Sequence, residues 1–162
     1  MLLEIHPVNP QEKYINQIVE SLNQGGVVVF PTDTVYAIGC SLYQHKAVER
    51  IARIKGIKPE KAKFSILTDG MSNLSEFTRP INNHIFRLMK KVLPGPYTFI
   101  LPASSKVPGI FESKKKTIGF RVPDNLILQM IISKLGHPLV STSLHSDDDD
   151  YLEYVVNAEL IY

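Results

Sequence analysis

One cysteine, Cys40, stands in a chain of 162 residues. No intramolecular disulfide can form, and a reducing, cytoplasmic setting is the expectation. Long apolar runs are missing as well. The longest, 126–132, is interrupted by Gln129 and falls far short of the roughly 20 residues that span a bilayer. No basic region leading into a long apolar stretch opens the chain, so no signal peptide is expected. Charge of one sign is not in excess: 18 Lys and Arg stand against 16 Asp and Glu, for a net +2. That balance by itself does not announce nucleic acid. The five histidines, His6, His45, His84, His137 and His145, lack zinc spacing, and no metal ligand set is expected. There is no internal repeat and no linker long enough to divide the chain. One domain over 1–162 is the expectation, and 44% apolar residues supply a core.

What is present alternates between helical and extended patterns. Asn9-Pro10-Gln11-Glu12 reads as a helix start, with Asn9 as cap and Glu12 completing a capping box. Tyr14, Ile15, Ile18, Val19 and Leu22 then repeat at helical spacing. Gly25-Gly26 introduces a β-branched strand over 27–30. Helices are predicted over 45–55, 74–77 and 85–92, the last with Ile85, Phe86, Met89 and Val92 inward. The segment 126–135 is apolar almost all round and predicts a buried helix. Further strands are predicted over 64–67, 97–101, 117–122 and 139–143. This irregular alternation implies an α/β domain with a mixed sheet.

Chemistry gathers at Pro31-Thr32-Asp33-Thr34-Val35-Tyr36. Proline cannot extend a central strand, so the chain turns where hydroxyls and a carboxylate crowd together. Basic residues concentrate at 50–63, at Lys90-Lys91 and at Lys114-Lys115-Lys116, and acid at 147–150. Ser141 and Ser143 share one strand face and Thr142 takes the other.

Four segments together resemble the YrdC-like domain of the threonylcarbamoyl-AMP synthase family. They are the run 25–40, Pro94-Gly95-Pro96-Tyr97-Thr98-Phe99-Ile100-Leu101, Thr117-Ile118-Gly119-Phe120-Arg121-Val122-Pro123, and Pro138-Leu139-Val140-Ser141-Thr142-Ser143. The resemblance implies a twisted mixed sheet flanked by helices, with a basic concave cleft. It implies an enzyme of the nucleotidyltransferase type that joins L-threonine, bicarbonate and ATP and releases pyrophosphate, for tRNA modification. Magnesium would arrive with ATP. By the same resemblance, Thr32, Arg121 and Ser141 would hold the amino acid. Lys55, Lys58, Thr117 and Ser143 would face the nucleotide, and Lys55 and Arg121 would carry the chemistry.

Several departures point toward the YciO branch. Ile57 stands where the family's basic motif has arginine, one place before Lys58, and Phe64-Ser65 replaces a Pro-Leu pair. Loss of a charge-assisted hydrogen bond there is worth roughly 1.5–3 kcal/mol. The family pattern also continues beyond Tyr162, so the resemblance implies a domain short at this end, lacking part of its pocket wall.

Structural readings stand beside these. Thr32 and Thr34 can close a turn by local hydrogen bonds, Arg121 can be a solvated strand end, and Lys55 can complement a helix dipole. Cys40 reads as a small buried apolar residue. Residues 147–150 read as a solvated loop. The rival function is a module for double-stranded RNA or tRNA. It would bind through the basic clusters by shape and charge, since no RNP-type aromatic motif is present.

Overall fold

The computed structural model describes residues 1–58, 62–109 and 116–144. In chain order the elements are α1 (Glu12–Asn23), β1 (Val28–Phe30), β2 (Ala37–Ser41), α2 (His45–Ile54), β3 (Ser65–Leu67), α3 (Leu74–Phe77), α4 (Asn83–Val92), β4 (Phe99–Pro102), β5 (Thr117–Arg121), α5 (Leu126–Leu135) and β6 (Leu139–Ser143). Six strands form one mixed sheet in the order β1-β2-β6-β3-β5-β4. Among the described residues β3 and β5 pair in parallel and the other neighbours are antiparallel.

Helices cover both faces. On one, α1 and α5 pack together through Ile15, Ile18, Leu22, Leu128, Ile131 and Leu135, over Phe30, Leu67 and Leu139 of the strands. Each fully buried aliphatic side chain of this kind contributes about 1.5–3 kcal/mol. On the other, Val48 and Ile51 of α2 pack on Ile38, Cys40, Ile66 and Val140. Met89 of α4 and Leu74 of α3 pack on Leu101 and Phe120.

Two element boundaries match the sequence pattern closely. The apolar segment forms α5, capped by Asn125, whose Oδ1 accepts from the Leu128 N–H at 3.1 Å. The Leu-Val-Ser-Thr-Ser run forms β6. The start of α1 differs from the expectation. Its flanking residue is Gln11, with no side-chain cap. His6 organises this turn instead: its Nδ1 accepts from the Val8 and Asn9 N–H groups at 3.3 and 3.0 Å. Glu12 does not close a capping box; its carboxylate accepts from Lys134 Nζ at 2.7 Å, tying α1 to α5. The turn of α4 inward is centred on Met89, which is fully buried, while Ile85, Phe86 and Val92 are half-buried. Strand β2 escaped the sequence pattern altogether, although all five of its residues are buried.

Candidate functional site

A cleft of about 180 Å³ opens on the face that carries α1 and α5. Its lining comes from segments far apart in sequence: Thr32 and Val35, Lys63 and Ser65, Thr98, Arg121, and Ser141 with Ser143. The strand register explains the convergence. Ser65 lies opposite both Ser141 and Gly119, and Ser141 lies opposite Gly39. These positions form one cross-strand row of small residues. A Cβ at Gly119 would collide with the Ser65 hydroxyl and come within 3.1 Å of the Thr98 methyl. Glycine there leaves the space in which the two hydroxyl side chains sit.

Residues 31–36 cross this face as a strap. They connect β1 and β2, yet Asp33 reaches Arg121 on β5, with β6 and β3 lying between. One oxygen of Asp33 accepts from Arg121 Nη2, and the other accepts from the Asp124 N–H at 3.2 Å. The same Nη2 donates to Thr34 Oγ1 at 2.9 Å. The ion pair is largely buried, with side-chain exposures of 17% for Arg121 and 9% for Asp33. Thr32 shapes the strap from within. Its hydroxyl donates to the Val35 carbonyl at 2.7 Å and accepts from the Thr34 N–H at 3.1 Å. Local turn closure and exposure to the cleft are therefore both properties of Thr32.

Arg121 has one further property. Its Nε is buried and has no hydrogen-bond partner among the described residues. Buried donors are seldom left so. Asp33 pairs with the guanidinium, and Lys63 is a second cationic side chain in the lining.

Lys55 approaches from the opposite face, at the end of α2. Its Nζ donates to the Ser143 carbonyl at 2.8 Å and to Thr142 Oγ1 at 3.3 Å. It thus adjoins the cleft beneath the end of β6. Lys58 is exposed and Thr117 opens β5 at its pairing with Pro102; both lie outside the cleft lining. Ile57 is half-buried. Cys40 is fully buried on the far face, and desolvation pushes its thiol up to about 12, so it is no nucleophile. Sequence reasoning assigned no individual role to Asp33, Ser65 or Thr98 and placed Lys63 only in the basic cluster 50–63, because their convergence depends on register and on the path of the strap. Lys114, Lys115, the acidic run 147–150 and the final segment lie outside the described residues.

Among the described residues no three His, Cys, Asp or Glu side chains gather as a metal-binding group. No described helix is long and apolar enough to cross a membrane.

The Sua5/YciO/YrdC family model, described as "Telomere recombination", matches residues 20–159. The chain belongs to this family. It is 45% identical over 150 residues to YciO of Escherichia coli K12, a protein itself named as uncharacterized; the match covers 92% of this chain and 72% of that one. The crystal structure of E. coli YciO superposes with a TM-score of 0.80 at 46% identity, covering 86% of this chain and 68% of that chain. Similarity to a threonylcarbamoyl-AMP synthase of Coxiella burnetii is 28% over 148 residues, covering 91% of this chain and 79% of the synthase. The structure of P. abyssi Sua5 complexed with L-threonine matches with a TM-score of 0.78 at 28% identity, over 83% of this chain and 39% of Sua5.

Proposed function

We propose that the cleft binds L-threonine or a close analogue and that the protein is an adenylate-forming enzyme of the threonylcarbamoyl-AMP synthase type. The amine of threonine would take up bicarbonate, with loss of water, to give a carbamate. A carbamate oxygen would attack the α-phosphorus of ATP, and pyrophosphate would leave. Such a step requires positioning and neutralisation of several anionic oxygens rather than a covalent nucleophile.

The observation that carries this reading is Arg121. Asp33 and Thr34 fix its guanidinium through one nitrogen, the side chain lines the cleft, and its buried Nε has no partner among the described residues. A carboxylate or carbamate oxygen supplies the acceptor that this donor lacks, in the charge-assisted geometry arginine favours. Thr32 and Ser141 then contact the amino acid. The threonine-bound Sua5 structure, of the same fold, supports the ligand class.

The nucleotide lies at the other end in this reading. Clefts that enclose a drug-sized ligand run to roughly 300–1,000 Å³, so ATP extends along the rim of this smaller one. Ser143 and Lys63 meet its inner part, Lys55 stabilises the end of β6 beside it, and Lys58 and Thr117 are the candidates for outer contacts. Magnesium travels with the triphosphate, because three phosphates supply its oxygen ligands.

The test is pyrophosphate release from ATP by purified protein, with and without L-threonine and bicarbonate. Release that requires both, and that Arg121→Ala abolishes, is expected. Absence of release together with salt-sensitive RNA binding indifferent to ATP would overturn the reading and favour an RNA-binding module.

A further inference from the structure

We propose that Ser65 determines the specificity of the cleft: with Ser141 it forms a two-hydroxyl floor that selects an amino acid bearing a side-chain hydroxyl over its isosteric apolar analogue. The inference rests on the amino-acid reading given above. Ser65 and Ser141 are direct cross-strand neighbours, and both line the cleft. Side chains in that relation lie about 5 Å apart. The Ser65 hydroxyl occupies the space over Gly119, which faces the cleft because Arg121, two residues on, shares its side of β5. Among the described residues no hydrogen bond engages either serine hydroxyl, and Ser141 is only 5% exposed.

The floor also lies in the right place for selection. Ser65 is one register row from the Leu67–Arg121 row, a distance of about 6.6 Å along the strands. Arg121, Ser65 and Ser141 all line the same cleft. A small amino acid held by its carboxylate on the guanidinium therefore projects its remaining atoms over Ser65 and Ser141. A methyl group set on this floor leaves two poorly hydrated hydroxyls without partners. A hydroxyl satisfies them and is satisfied in return, which is the situation in which binding sites discriminate best.

The experiment is calorimetric titration of the full chain with L-threonine and with L-valine, in the presence and absence of ATP. The wild type is expected to prefer threonine by tenfold or more. Ser65→Ala is expected to reduce that ratio about tenfold by weakening threonine alone. Ser65→Val, which sets methyls on the floor, is expected to shift the preference toward valine. Unfolding midpoints close to wild type establish that both variants fold. A wild-type ratio near one, or a ratio unchanged in Ser65→Ala, would overturn the proposal while leaving the amino-acid reading in place. Failure of the wild type to bind either amino acid, with or without ATP, would overturn that reading and this proposal together.

Discussion

Replacing Asp33 by alanine removes the acceptor for Arg121 Nη2 and the acceptor for the Asp124 N–H in one step. The guanidinium stays where it is, because Arg121 is only 17% exposed, and a positive charge is left in a poorly solvated place. Breaking a buried pair from one side in this way costs about 3–5 kcal/mol. For a domain of this size each kcal/mol lowers the melting temperature by about 2–4 °C, so the expected loss is roughly 6–20 °C. That is a large share of the 5–15 kcal/mol by which such domains are stable. Urea unfolding of Asp33→Ala, Arg121→Met and the double variant forms the assay. The two single losses should not add, because the double variant carries neither the stranded cation nor the empty carboxylate site. A coupling energy of about 1–3 kcal/mol is expected. A loss below about 1 kcal/mol for Asp33→Ala, or a coupling energy near zero, would refute the reasoning, since those are values typical of a solvated surface pair.

Three further outcomes are expected. The unfolded chain releases the Cys40 proton near pH 9 and the folded chain holds it to about pH 12. Stability contributed by the buried thiol is therefore complete below pH 9 and falls by about 1.4 kcal/mol per pH unit above it; urea midpoints at pH 8 and 10.5 should diverge more in the wild type than in Cys40→Ala. Gly119→Ala places a methyl against the Ser65 hydroxyl and the Thr98 methyl; overpacking of this kind costs about 1–3 kcal/mol, and threonine titration should show weakened binding as Ser65 is displaced. Leu128→Ala truncates a fully buried side chain of α5, and equilibrium denaturation should register a loss of about 2–5 kcal/mol.

Composition and flanking breaks made α5 and β6 legible. An almost wholly apolar decamer has one physical fate, and the short run Leu139–Ser143 follows a Gly-His-Pro break, as a strand does after a turn. Strand β2 was illegible for the opposite reason. Ala-Ile-Gly-Cys-Ser has little β-branched bulk, because the sheet interior allows none at Gly39, whose Cβ would stand 2.7 Å from the Val140 carbonyl oxygen. Candidate residues on motifs, such as Thr32, Arg121, Ser141 and Ser143, were visible because their types and order suggested binding. Ser65 and Thr98 were not, since no local pattern reveals which residues the sheet register brings together. Asp33 was hidden within a motif where hydroxyls drew the attention, and its partner is 88 positions away. Lys55 was legible as a cation, whereas its attachment to the Ser143 carbonyl required the strand that it caps.

The position of β6 sets a schedule for folding. Among the described residues this strand comes last of the six in sequence, yet it lies between β2 and β3 and joins the β1-β2 hairpin to the β3-β5-β4 half. During synthesis the two halves can form separately but cannot unite until residue 143 has left the ribosome. At about 5–20 residues per second, the nascent chain spends several seconds with the inner edges of both half-sheets unpaired. Exposed edges of this kind invite pairing with other chains. Closure across so much intervening chain is also slow. The interval before β6 arrives is thus the period of greatest exposure to aggregation, and the cleft comes into existence only at its end.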